Sequence, residues 1–437
     1  MKPMRKWLFY WQLNVFCLAL YFLGLWPIGA YTQENGRLLG ELVAVGEDGG
    51  LEAVENPAYL PLRFQTSQKK WLVSLNGGIG NSSALKLGSW EEERWEKAIL
   101  AYHELGMATG AGKWASGFYW GRDPKNAWQD MVYQGNYQSL RAKQAQKISL
   151  QRLAWALGFA FEKKQALAFS LATRFGEQRH SNLLTTIPPM PPITAPSFTY
   201  GSEDHVQLLG GSAQLAYLTT TGESDLGISC RVLSVQENQR RFSVYWRNEI
   251  PLQNQVLGFS AQRFDIYTTR NSPRCTLGIS YVLWDSLRAY GEYEASLNLK
   301  ERDKFYDLDN TTFLIYETQD PSGMRQKLAL GAMYPISLLW SIMGGVSYSW
   351  NSYDRNYRAS DANYRIITIG QEKSWSVSLG ASYRFRESMS LVGGIFTRYF
   401  RKDEEQLRFA LNQVLKTQDS QSYYTTDFYL AIHLLFG

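Results

Sequence analysis

Charge is what this chain has least of. Only 19% of its residues are Asp, Glu, Lys or Arg, and 45 basic against 40 acidic side chains leave a formal net charge of +5. Nothing in that balance suggests nucleic acid, whose binding rests on clustered phosphate neutralisation. Cysteine is scarce too: three in 437 residues cannot build a disulfide framework for a chain of this size. Past residue 26 no apolar run reaches the roughly 20 residues that a membrane-spanning helix needs. The mean hydropathy of −0.31 is likewise too polar for a bundle of membrane helices. What is abundant is aromatic: 15 Trp, 27 Tyr and 21 Phe make up 14% of the chain. That excludes a disordered chain, which would carry few aromatics and more net charge. The length allows two or three domains, or one large barrel.

The N-terminus sets the compartment. Lys2, Arg5 and Lys6 precede an apolar run from Trp7 to Trp26, followed by Pro27-Ile28-Gly29-Ala30 and a polar stretch from Tyr31. A positive leader, an apolar core and a small residue at the boundary form a secretory signal peptide over 1–30, cleaved after Ala30. Retained, the same run would be nearly long enough to anchor the chain in a membrane. Removing the segment takes its three positive charges from the total of +5 and leaves +2. The exported chain is then soluble or a membrane β-barrel.

Alternation decides between them. In 374–385, Trp375, Val377, Leu379, Ala381, Tyr383 and Phe385 fall on one face, and Ser374, Ser376, Ser378, Gly380, Ser382 and Arg384 on the other. Successive side chains of a strand point to opposite faces, so this is an amphipathic strand. The same pattern recurs in 338–350, 287–300 and the hairpin 153–175. A soluble sandwich also alternates, but its strands cluster near 5–6 residues, whereas these run about 10–14, the length a tilted membrane strand requires. The polar faces are Ser, Gly, Ala and scattered charge, as in a lumen, and aromatics such as Trp340 and Trp350 stand near segment ends, as interfacial girdles do.

The expected fold is therefore an all-β, antiparallel outer-membrane barrel over 71–437, of about 14–16 strands. The full count is 16, with strands starting near 71, 98, 113, 153, 167, 206, 225, 241, 255, 275, 287, 326, 338, 373, 389 and 423; without the weak segment at 98–108 it falls towards 14. Short and long connections alternate, as periplasmic turns and outer loops do. The closing strand puts Tyr424, Thr426, Phe428, Leu430, Ile432, Leu434 and Phe436 on one face. It resembles the C-terminal signal read by the barrel-assembly machinery, although Gly437 follows the aromatic.

Residues 31–70 precede the first strand and contain Ala53-Val54-Glu55-Asn56-Pro57-Ala58-Tyr59-Leu60. Asn-Pro is also an ordinary turn signal. In this position, however, the segment resembles the Asn-Pro-Ala signature of the FadL-type long-chain fatty acid transporter family. That family includes TodX-like hydrocarbon channels and the related PorV-type barrels. The count of 16 exceeds the family's 14 strands, and Tyr59 stands where Gly is common. The resemblance implies a small N-terminal hatch over 31–70, anchored by Asn56, Pro57 and Ala58. It further implies passive uptake of hydrophobic solutes such as long-chain fatty acids, which pass the hatch and leave sideways into the membrane. A PorV-like barrel that docks secreted or surface proteins is the alternative. Lipid and a hydrophobic solute are then the partners, with the assembly machinery during biogenesis, in the outer membrane of a diderm bacterium.

The remaining candidates have bland readings beside sharp ones. The proline-rich loop around Ile187, Met190 and Ile193 would line a hydrophobic capture groove, or simply cap the barrel mouth. Residues 88–108 form a short amphipathic helix at the mouth, or polar loop leading into strand. Arg174, Arg231, Arg247, Arg288, Glu292, Glu294, Lys300, Arg384 and Arg398 fall on inward faces. There they tune selectivity or fill the lumen with ion pairs, Glu292 and Glu294 lying close to Arg288. Four histidines show no metal-ligand spacing and no nucleophile elbow or phosphate loop is present, so no cofactor, metal or catalysis is expected. Cys230 and Cys275 fall on the apolar face as small lipid-facing side chains, with a disulfide possible in an oxidising compartment.

Overall fold

The computed structural model describes residues 56–66, 70–87, 92–96, 98–122, 130–137, 140–186, 197–221, 223–250, 255–270, 273–283, 286–297, 302–306, 314–319, 323–359, 364–386, 389–410 and 413–436. The expected signal peptide, 1–30, lies outside them. Among the described residues there is one α-helix, α1 (Tyr59–Thr66), followed by strands that all belong to one antiparallel sheet. In order these are β1 (Trp71–Leu87), β2 (Glu92–Glu96), β3 (Ala98–Ala111), β4 (Trp114–Arg122), β5 (Asp130–Tyr137), β6 (Leu140–Glu162), β7 (Gln165–Thr186), β8 (Ser197–Thr220), β9 (Ser224–Ile250) and β10 (Gln255–Arg270). Then come β11 (Arg274–Val282), β12 (Arg288–Leu297), β13 (Arg302–Tyr306), β14 (Leu314–Gln319), β15 (Met324–Pro335), β16 (Trp340–Ala359), β17 (Tyr364–Arg386), β18 (Met389–Ala410) and β19 (Gln413–Phe436).

Fourteen of these form the wall: β1, β3, β4, β6 to β9, β11, β12 and β15 to β19. Each pairs with the next, and β19 returns to β1 from Trp71↔Phe436 to Leu87↔Ser420, which closes the barrel. Closure satisfies every strand edge, the condition for a sheet in lipid. Neighbouring strands at one end are joined by tight turns, for example 112–113 and 163–164, while at the other they run on to as many as 27 residues. The tight end faces the periplasm and the extended end the outside. No helix among the described residues is long and apolar enough to cross a membrane.

The alternation predicts which faces meet lipid. On β17, Trp375, Val377 and Leu379 are exposed, while Ser376, Ser378 and Ser382 are buried inside. The same holds for Trp340, Ile342 and Val346 against Ser341, Met343 and Ser347 on β16, and for Trp155 and Leu157 against Ala154 and Ala156 on β6. Two aromatic girdles bound the apolar belt. Trp340 packs on Tyr383 at 4.5 Å near the turns, and Tyr348 packs on Trp375 at 4.2 Å and on Trp350 at 5.4 Å further up. Trp340 and Trp350 are ten residues apart on β16. At about 3.3 Å per residue and a tilt near 45°, that is roughly 23 Å of membrane.

Two expectations need correction, and the weakest strand of the count holds. The count of 16 becomes fourteen wall strands, which removes the departure from the family's 14. The strand placed at 241 is the outer half of β9, which is continuous from 224 to 250, and β10 pairs with that outer half rather than with the wall below. The polar run at 235–240 looks like a loop because β9 has left the membrane there and needs no apolar face. Segment 98–108, the weak one, is a wall strand, β3, not a helix. The long outer connections are also largely strand: β2, β5, β10, β13 and β14 extend the sheet beyond the belt. Cys230 and Cys275 are opposite one another on β9 and β11, Cα–Cα 4.1 Å, and form a disulfide on the outward face.

Candidate functional site: a helix seated in the lumen

Asn56, Pro57 and Ala58 each have a defined task. The Asn56 side-chain oxygen accepts a hydrogen bond from the Ala58 N–H at 3.2 Å, and its carbonyl accepts from the Tyr59 N–H at 3.2 Å. It thereby caps the start of α1, and Pro57, which has no N–H to leave unsatisfied, takes the first turn. Ala58, fully buried, lies with Tyr59 and Leu62 among Ala160, Ala166, Ala168, Ala216 and Leu218, next to the turns at the periplasmic end. The three residues start the helix and fit its first turn against the wall.

The wall beneath the helix is made of small side chains. Leu60 and Phe64 cluster with Ala108, Ala115, Ala154, Ala156 and Ala172, together with Leu72 and the fully buried Tyr119. At two points even a methyl group would not fit. A Cβ on Gly110 would lie 2.3 Å from Phe64 Cβ, and one on Gly158 would lie 2.7 Å from Pro61 Cδ. Glycines at 110 and 158 thus form sockets for Phe64 and Pro61. The signal was present in the sequence as an enrichment of Ala and Gly on inward faces, as at Ala154, Ala156, Gly158 and Ala160 on β6 and Ala166, Ala168 and Ala172 on β7, but nothing there says what they receive.

The opposite wall is different. Tyr290, Ala329, Met333, Met343, Val392, Tyr429 and Ala431 form a second buried inward cluster, contributed by β12, β15, β16, β18 and β19. Between the clusters run polar contacts. Arg288 pairs with Asp225 at 3.2 Å, Asp225 accepts from the Ser280 hydroxyl at 3.0 Å, and Arg274 pairs with Glu294. Gln214 donates to Ser229 at 2.7 Å. At the outer mouth Tyr353 donates to Glu404 at 2.5 Å across Gly370, where a Cβ would strike its ring, and Lys402 pairs with Glu404 at 2.8 Å. Arg240 holds Asp204 with two bonds, 2.8 and 2.7 Å, on the facing side of the mouth.

Of the lumen charges read from the sequence, Arg231, Arg288, Glu292, Glu294 and Arg384 all lie on inward faces, Glu292, Glu294 and Arg384 buried. Arg288 pairs with Asp225 and Glu294 with Arg274, both across neighbouring strands. Arg247 is not a lumen residue. The irregularity opposite Ala213/Gln214 leaves Val232 and Leu233 both exposed, so the phase of β9 reverses and Arg247 faces outward above the belt. Ile187, Met190, Ile193 and Lys300 lie outside the described residues. Among the described residues no group of His, Cys, Asp and Glu could hold a metal ion.

No protein-family model matches the chain, and no curated protein does either. Solved structures do. The chain is similar to a FadL homologue of Pseudomonas aeruginosa, at 13% identity and a TM-score of 0.53, covering 94% of this chain and all of that one. It is similar to the toluene transporter TbuX of Ralstonia pickettii, at 12% identity and 0.57, over 93% and 98%. It is similar also to the toluene transporter TodX of Pseudomonas putida, at 12% and 0.56, over 94% and 99%. At such identities the likeness establishes the fold alone: an outer-membrane β-barrel built like these along nearly its whole length.

Proposed function

We propose that this barrel is a passive channel for hydrophobic small molecules, with the segment around α1 as its hatch. The observation that carries the reading is the seating of α1: a capped helix lies against the inner wall, in glycine sockets, a position that supports a role in obstructing water and ions. Asn56, Pro57 and Ala58 anchor it, and the buried cluster of Tyr290, Met333, Met343, Val392 and Tyr429 makes the wall across the lumen apolar. The similar structures include transporters of toluene and a channel for monoaromatic hydrocarbons, which favours a greasy cargo. Long-chain fatty acids are the finer version of the reading. Wall pairing runs unbroken around the described strands, so sideways exit requires a pair to part transiently. Cells lacking their own hydrophobic-solute channels and expressing the full chain should accumulate radiolabelled toluene or oleate faster than vector controls. Equal rates for both compounds would contradict the reading, and a gain for only one would name the class.

Docking of a surface or secreted protein is the second reading. It is favoured by the outer sheet, whose edge strand β10 carries exposed Phe264 and Ile266. A stable partner captured by the full chain but lost when 176–205 is removed, with uptake unaltered, would support it.

A further inference from the structure

The outer sheet carries a second feature that transport does not use. Lys147, Arg179, His205, Arg241 and Phe264 are successive cross-strand neighbours on β6, β7, β8, β9 and β10, so they form one row across five strands. The row is on the outward face, with Lys147, Arg179 and Arg241 exposed. Arg141 and Lys143 on β6 and Arg247 on β9 are exposed on the same face further out. Against these cations stand Glu177, Glu203 and Glu237 on the face and Asp130, opposite Lys147 at the row's edge. Directly below, Phe175, Leu209 and Leu233 end the apolar belt, Leu209 and Leu233 more than half exposed. Arg179 and His205 are four residues beyond Phe175 and Leu209. Along tilted strands that raises these two by roughly 9 Å, the depth of the lipid headgroups, while Arg241, eight residues beyond Leu233, stands roughly 19 Å above it.

The row also has shape. Glu177 accepts from Arg179 at 2.9 Å and is 3.0 Å from His205, which fixes both side chains. Beside them a shallow groove of about 690 Å³ is bounded by Glu203, His205, Arg241, Ser243, Gln262 and Phe264, and the Arg241 guanidinium lies 5.9 Å from the Phe264 ring centroid. Guanidinium and ammonium groups at headgroup depth match phosphate, and a half-apolar groove with an exposed ring matches a sugar face.

We propose that the outward face of β6 to β10 binds the phosphorylated sugar headgroup of an outer-leaflet glycolipid, the acyl chains lying along Leu209 and Leu233 below. The site is independent of what the lumen carries. The test uses the full chain in a zwitterionic detergent. It is titrated in mixed micelles with bis-phosphorylated lipid A, with lipid A stripped of both phosphates, and separately with inorganic phosphate. The phosphorylated lipid should bind, the stripped lipid at least about tenfold more weakly, and inorganic phosphate should neither bind nor compete at the same concentration. Lys147→Gln, Arg179→Gln and Arg241→Gln together should lower the affinity by roughly 10–100-fold, and added salt should weaken it. Arg241→Gln alone gives the same reading should the triple variant not fold. Binding indifferent to the phosphates, equal competition by inorganic phosphate, or a substituted row that binds like the natural one would each overturn the site.

Discussion

At Gly110 the room that a side chain would need is already occupied by Phe64, and α1 is seated by that exchange. Gly110→Leu should therefore unseat α1 without altering the outward face of β3, and Phe64→Ala should weaken the seating by about 3–5 kcal/mol, the usual loss for a buried aromatic. In planar bilayers both variants should show more frequent open events than the natural chain; silent traces would place the seating elsewhere. Asn56 stood out in the sequence through the Asn-Pro-Ala resemblance and as a turn signal, while the helix that it caps was not read there. The sockets were not legible, because a glycine on an inward face does not say which distant residue enters it. Glu177 supports a prediction about pH. The hydrogen bond from Arg179 is the largest influence on it; burial opposes this, and His205 adds to it, so its carboxyl stays below the ordinary value of 4.5. A carboxyl that is more acidic when folded adds stability that is fully present above pH 4.5 and lost as pH falls through the lower folded value. Heat-induced mobility shifts recorded against pH should thus show an acid limb that Glu177→Gln reduces. An identical limb in the variant would remove the role given to this contact.

Among the elements, β17 and β9 show what a sequence can and cannot announce. β17 was legible from Ser374 to Phe385 because lipid bathes one side and a polar lumen the other, and nothing interrupts the alternation. β9 was legible only to Arg231. Beyond Val232 the phase reverses and the polar run 235–240 stands in water on the outside, so the sequence shows a loop and a separate strand from 241 where the structure has one continuous strand. The same excursion hid the disulfide. Cys230 and Cys275 are 45 residues apart, and only the return of the chain through β10 to β11 sets them opposite one another. The bond closes that excursion at the edge of the belt. Cys275→Ser should lower the urea stability of the folded barrel by about 2–4 kcal/mol, less if the outer sheet already restrains the loop. Reductant should reproduce the loss in the natural chain and leave the variant unchanged. A response of the variant to reductant would mean that the effect lies elsewhere.

On the scale of the whole molecule, aromatic abundance, low charge and polar average hydropathy have one cause. A wall of fourteen strands interleaves lipid-facing and lumen-facing residues one by one, so each segment is half apolar and few positions tolerate charge. The class of fold follows from that period alone. The number of strands and the place of the hatch do not, since they depend on which extensions turn back above the membrane and on what the lumen receives. The central claim is that the segment around α1 closes an otherwise open lumen, and conductance tests it most directly. The full chain and a form lacking residues 31–66 are reconstituted in planar bilayers at equal protein density. The account predicts a nearly closed full-length barrel and a steady ion-conducting state in the shortened one, while heat-modified migration shows the wall intact. Equal, low conductance of the two with an intact wall would contradict it.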